Sequence, residues 1–349
     1  MRWDLVLVVG VAAVSPVSAQ ANTGKCPPDH RSPLLSLFTP IRTLKLATSD
    51  SAPIASLTAV RATTHGVVAV LDRRDYNIKL YGPDGHPKRV IGRRGAGPGE
   101  FSGPAAFTLV GDSLLTVADE ARGRLVVYDT AGVLVSEHPL RGRPIGGIAQ
   151  IGSQLLVTGF TGLEAGPAGV RLGEVLRLPS FGRTSFGELP ESYQAHPVVL
   201  SSQVFVAGGH GVAYVTWRFS AHVYRVTLDG AMGKGVSLPT SRTFVDPRGV
   251  TGGRTGPDLF RELSPILNLY AVEDLILVPY LPRIENSGRN RPVRYHVLDT
   301  AFSVIATGIA GPGIVGAAGD TLLAAGDLVG GQPGDEQGEI HLTWLARCK

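Results

Sequence analysis

Gly92 to Val135 reads GRRGAGPGEFSGPAAFTLVGDSLLTVADEARGRLVVYDTAGVLV. A glycine- and proline-rich opening leads into three short apolar runs, AAFTLV, LLTVAD and RLVVYD, and then the start of a fourth at VLV. Only turn residues separate them: Gly-Asp-Ser, Glu-Ala-Arg-Gly and Thr-Ala-Gly. Short runs rich in Val and Leu, spaced by Gly, Asp and Ser, predict antiparallel strands joined by tight turns. The stretch is a four-stranded meander with a long entry loop.

Working outward, the turn-plus-strand centred on GDSLLTVAD recurs as THGVVAVLD from Thr64, GSQLLVTGF from Gly152, GHGVAYVTW from Gly209, VEDLILVPY from Val272 and GDTLLAAGD from Gly319. The first strand residues, Val67, Leu114, Leu155, Val212, Leu275 and Leu322, lie 47, 41, 57, 63 and 47 apart. An apolar run precedes each copy, a third strand follows it, and a fourth follows in most. Four antiparallel strands repeated six times predict an all-β, six-bladed β-propeller, in which radial repetition protects the sheet edges. The sixth copy ends at Lys349 after three strands, while IRTLKLA, Ile41 to Ala47, stands alone before the first blade. That N-terminal strand is expected to complete the last blade and close the ring, giving one propeller over 41–349.

Composition agrees. Of 349 residues 43% are hydrophobic, and the 45 glycines and 25 prolines suit a chain with many turns. The net charge of +4, with 27 arginines among 33 basic residues, permits acidic partners without demanding nucleic acid.

The first residues read as an export signal. Arg2 precedes the apolar run Leu5 to Val14, and Val17 and Ala19 occupy the positions a signal peptidase reads. The expectation is a signal peptide over 1–19 cut after Ala19, an extension over 20–40, and a periplasmic or secreted monomer. The apolar run is too short to span a bilayer, and no later segment is long enough. Two cysteines, Cys26 and Cys348, stand near opposite ends of the mature chain. In an oxidising compartment the simplest expectation is a disulfide joining the termini, with two free thiols as the alternative.

The Gly92–Val135 stretch resembles an NHL repeat through Gly95–Phe101 (GAGPGEF), Pro104, Val117-Ala118-Asp119, Arg124 and Tyr128-Asp129. The preceding blade matches through Asp72, Asn77, Tyr81 and Pro83–Gly85. Later blades keep the strand rhythm and lose most of the signature: Trp217 stands where the Asp would fall, and Val297-Leu298-Asp299 is a partial match. The resemblance implies a secreted six-bladed propeller of the NHL-like kind, whose Asp72 and Asp119 cap the following turn with help from Arg124.

Several motifs invite chemistry. The glycines of GRRGAGPGEF suit a corner between blades, where φ > 0 is needed, with Phe101 as a wedge; a P-loop needs Gly-Lys-Ser/Thr opening a helix, and here a strand follows. Gly111-Asp112-Ser113-Leu114 spells a hydrolase signature, but GDTLL and VEDLI fill the same slot in other blades, so it reads as a turn. The histidines, including His65 and His210 in such turns, show no metal-ligand spacing.

Long connections fall on the face carrying the second-to-third-strand loops and the blade-to-blade loops. That face carries Arg93, Arg94, Arg242, Arg248, Arg254, Arg261, Arg283, Arg289 and Arg291. Arginine engages two oxygens of a carboxylate, phosphate or sulfate at once. The expected function is therefore a binding or interaction module for an anionic small molecule, glycan or acidic protein segment, with no cofactor, metal or nucleic acid. The alternative is a metal-dependent enzyme, since six-bladed propellers include gluconolactonase-like hydrolases and amidating lyases. The inner-strand candidates hold no carboxylate, with Arg61, Gln150 and Asn268 as their main polar residues; loop ligands such as Glu100 or Glu285 stay open.

Overall fold

A computed structural model describes residues 32–47, 53–162, 169–189, 203–209, 211–238, 264–282, 292–326 and 340–348. A 3₁₀ turn, Pro33–Leu37, leads into β1 (Phe38–Leu46). This strand starts three residues earlier than the sequence suggested. Then come β2 (Leu57–Ala62), β3 (Val68–Asp72), β4 (Asn77–Tyr81) and β5 (Pro87–Ile91); β6 (Pro104–Val110), β7 (Leu114–Asp119), β8 (Arg124–Asp129) and β9 (Leu134–Pro139); and β10 (Gly147–Ile151), β11 (Gln154–Thr161), β12 (Arg171–Arg177) and β13 (Gly182–Glu188). The second half holds β14 (Val204–Gly209), β15 (Val212–Trp217), β16 (His222–Val226) and β17 (Val236–Ser237); β18 (Tyr270–Val272), β19 (Leu275–Tyr280), β20 (Arg294–Asp299) and β21 (Val304–Ala310); and β22 (Gly313–Ala318), β23 (Thr321–Ala325) and β24 (Ile340–Arg347).

Four sheets are four-stranded, in the orders β6-β7-β8-β9, β10-β11-β12-β13, β14-β15-β16-β17 and β18-β19-β20-β21. The remaining strands form one sheet in the order β1-β24-β23-β22-β2-β3-β4-β5. In it β1 pairs antiparallel with β24 from Phe38↔Arg347 to Leu46↔Ile340, while β22 and β2 touch through one parallel bridge, Val60↔Gly316. Gly316 makes that bridge possible: a Cβ there would lie 2.0 Å from the Val60 carbonyl oxygen.

The burial of each strand follows its place. β3 and β7 lie between neighbouring sheets, so VAVLD is buried throughout and LLTVAD almost throughout, and both read as continuous apolar runs. β9, at the rim, alternates half-buried and exposed. The core is correspondingly divided into six apolar clusters, five between neighbouring sheets and one between the two halves of the eight-stranded sheet. Phe101, Phe107 and Val117 pack against Leu71 and Ile78, and Leu342 and Trp344 pack against Val68 and Tyr81.

Cys348 follows β24; its N–H donates to the Leu37 carbonyl (3.1 Å) and its Sγ lies 3.0 Å from Thr39 Oγ1. Cys26 lies outside the described residues. No helix among the described residues is long and apolar enough to cross a membrane.

Candidate functional site

The first strands of successive sheets, β2, β6, β10, β14, β18 and β22, adjoin one another in that order, and β22 returns to β2. They are built mainly from small and apolar residues. Arg61, on β2, is the one charged residue in these six strands. Its Nη1 donates to the Val60 carbonyl oxygen (2.9 Å), and its Cζ lies 5.7 Å from the centre of the Phe107 ring on β6. A Cβ added to Gly316 on β22 would sit 3.5 Å from Nη1. The side chain thus reaches the inner strands on both sides of its own.

Arg61 keeps some accessible surface, but protein surrounds it closely enough that lost hydration lowers its pKa, with the nearby Tyr270 acting in the opposite sense. Tyr270 does not neutralise it: burial pushes that phenol up to about 12, so it is un-ionised at neutral pH. Its hydroxyl donates to the Ile314 carbonyl (2.8 Å) and accepts from Asn268 Nδ2 (3.1 Å). Among the described residues Arg61 makes no ion pair, whereas the buried Lys79 and the mostly buried Arg124 are both paired with carboxylates. Gln150 is held by structural bonds, accepting from Gly111 N–H (3.2 Å) and donating to the Gly152 carbonyl (3.0 Å).

The glycine-rich entry loop is a closed knot. Glu100 accepts from Gly97 N–H and from Arg93 Nε, both at 2.8 Å; these bonds hold its carboxyl below the usual range. Arg94 lies over the Tyr76 ring, 5.1 Å from its centre. Asp119 accepts from Ser102 and Gly103 N–H, Arg124 Nη2 donates to the Glu100 carbonyl (2.6 Å), and Tyr128 OH donates to the Gly99 carbonyl. Phe101 is fully buried. Of the arginines expected on the long-loop face, Arg93 and Arg94 therefore have partners within this knot. Arg242, Arg248, Arg254, Arg261, Arg283, Arg289 and Arg291 lie outside the described residues, as do Glu285 and His210.

Asp72 caps the corresponding corner of the preceding blade, accepting from Ala55 N–H (2.7 Å) and from Lys79 Nζ (2.6 Å). Burial alone would raise its carboxyl; the Lys79 and backbone bonds outweigh that and hold it below the ordinary range. In the sheet β10–β13, Glu174 from the third strand takes over and accepts from Arg141 N–H (2.9 Å). The GDSL segment is a turn: the Asp112 carboxylate accepts from Thr64 N–H and Oγ1, and among the described residues no histidine is bonded to Ser113 Oγ. Also among the described residues, no cluster of three or more His, Cys, Asp or Glu is placed to hold a metal ion.

A family model described as a 6-bladed beta-propeller (DUF5128) matches residues 23–142. Among solved structures, a Bacteroides fragilis protein described as exported is 17% identical, with a TM-score of 0.62, covering 90% of this chain and 96% of that one. A DUF4221-family member from Bacteroides vulgatus is 10% identical (TM-score 0.61; 88% and 97% covered). The extracellular domain of a Bacteroides thetaiotaomicron hybrid two-component system is 11% identical (TM-score 0.50), covering 82% of this chain and 32% of that one. No curated protein matches the sequence. At such identities the likeness speaks for the fold alone, and the fold is an all-β propeller.

The sequence places Arg61 among the polar inner-strand residues. It does not show that Arg61 has no carboxylate partner among the described residues, which depends on what the other blades bring near it. The Asp72–Lys79 pair escaped sequence reasoning; the signal was a lysine inside the apolar run NIKLY.

Proposed function

We propose that the protein is an exported NHL-like binding propeller for an anionic ligand. In this reading the signal peptide is cut near Ala19, six four-stranded blades are closed by β1 completing the last one, and a Cys26–Cys348 disulfide joins the termini. The mature chain is a monomer without cofactor. Its ligand approaches from the arginine-bearing loop face, toward the channel. The observation that carries this is Arg61, a half-buried cation on an inner strand with no carboxylate partner among the described residues. A cation that has lost part of its hydration without gaining a partner is costly, and an incoming anion offsets that cost.

The test is a thermal-shift and calorimetric screen of the mature protein against anions and their neutral analogues. Saturable stabilisation by anions alone is the expected result. Failure of every anion to bind, or metal-dependent turnover of a bound ligand, would contradict the reading.

A further inference from the structure

Arg61 also narrows the kind of anion. We infer that the inner strands around Arg61 hold a site for a small monocarboxylate, gripped side-on by Nε–H and Nη2–H of Arg61; this rests on the anionic-ligand reading above. Guanidinium carries five N–H donors, and only one of them, on Nη1, has a protein acceptor among the described residues. The Nε/Nη2 edge presents two parallel donors, the spacing that matches the two oxygens of one carboxylate. Contact with the Phe107 ring and the Nη1 bond to Val60 restrain the group, so little rotamer freedom is lost when the carboxylate arrives.

The single charge sets the class. No second cation stands on the six inner strands, so one carboxylate balances Arg61, whereas a phosphate or sulfate dianion would keep an unbalanced charge beside it. Asn268, whose Nδ2 bonds Tyr270 OH (3.1 Å), has a second amide N–H left for an additional acceptor on the ligand. The inner strands, rich in Ala and Gly, supply little polar recognition beyond this. A slim, mainly apolar acid fits such walls better than a polyanionic glycan or an acidic peptide.

The experiment titrates the mature protein with acetate, propionate, benzoate, sulfate, phosphate and the matching amides, read by calorimetry, for the wild type, Arg61→Gln and Arg61→Lys. A monocarboxylate binds the wild type, its amide does not, and Arg61→Gln weakens binding at least ~30-fold, as for loss of a charged hydrogen-bonded pair. Arg61→Lys keeps the charge but loses the fork and weakens binding about tenfold; it carries the test if Arg61→Gln does not fold. Unliganded Arg61→Gln melts no lower than the wild type, unlike a variant that has lost a structural arginine. Carboxylate binding unchanged by either substitution overturns this site and leaves the anionic-ligand reading standing. Binding of sulfate or phosphate in preference to every carboxylate overturns the monocarboxylate class, and silence of all anions removes both proposals.

Discussion

Lys79 is 2% exposed and its ammonium group sits between the carboxylates of Asp72 (2.6 Å) and Asp75 (2.7 Å). Its third acceptor is the Pro53 carbonyl. Asp72→Asn leaves a buried cation partly uncompensated and turns one of two acceptor oxygens into an NH2, so either Ala55 N–H or the Arg74 and Asp75 N–H groups lose their acceptor; a cost of about 3–5 kcal/mol in denaturant unfolding is expected. The same residue sets a pH dependence. The folded Asp72 carboxyl titrates below its ordinary value, so its contribution is complete above the unfolded value of about 3.9 and is lost as pH falls through the lower folded value. Melting curves from pH 7 to pH 2 should show a loss of stability below about pH 4 in the wild type that is smaller in Asp72→Asn. Identical acid profiles would show that the pair carries no such linkage.

The blade-to-blade corner shows why element boundaries were legible. Gly92 has φ +79°, and a Cβ there would lie 2.2 Å from Cε2 of the buried Phe101. Gly92→Ala is therefore expected to destabilise the protein by about 1–3 kcal/mol through backbone strain and displacement of Phe101 from between the sheets. An unchanged unfolding midpoint would contradict this. The glycine, the Phe wedge and the Asp that caps the corner are all local, so the sequence displays the full set before β6 and the capping Asp in the blade β2–β5 as well. Later blades solve the same problem with side chains that have no shared signature. Glu174 caps from a third strand, and Trp217, buried at the end of β15, stacks on Tyr224 with ring centres 5.4 Å apart. Strand rhythm survived there because burial between sheets still demands apolar runs; the capping residues did not.

At the scale of the molecule, the fold was readable because six similar units must each bury two faces, and that requirement repeats along the chain. The site was less readable, because an inner strand gives one residue's identity while its partners come from other blades. Arg61 acquires its character from Phe107, Tyr270 and Gly316, which are distant in sequence. The proposed terminal bridge also belongs to this scale. Intact mass should lie two hydrogens below the reduced value, and by loop-closure entropy Cys348→Ser should lower stability by about 5 kcal/mol. A fully reduced mass would remove the bridge from the account. The most direct test of the central claim is a crystal structure of the mature protein soaked in bromide, read by anomalous scattering. A bromide peak is expected within hydrogen-bonding distance of Arg61 Nε and Nη2. Arg61 turned instead onto a carboxylate of the chain itself, with no anion beside it, would contradict the account.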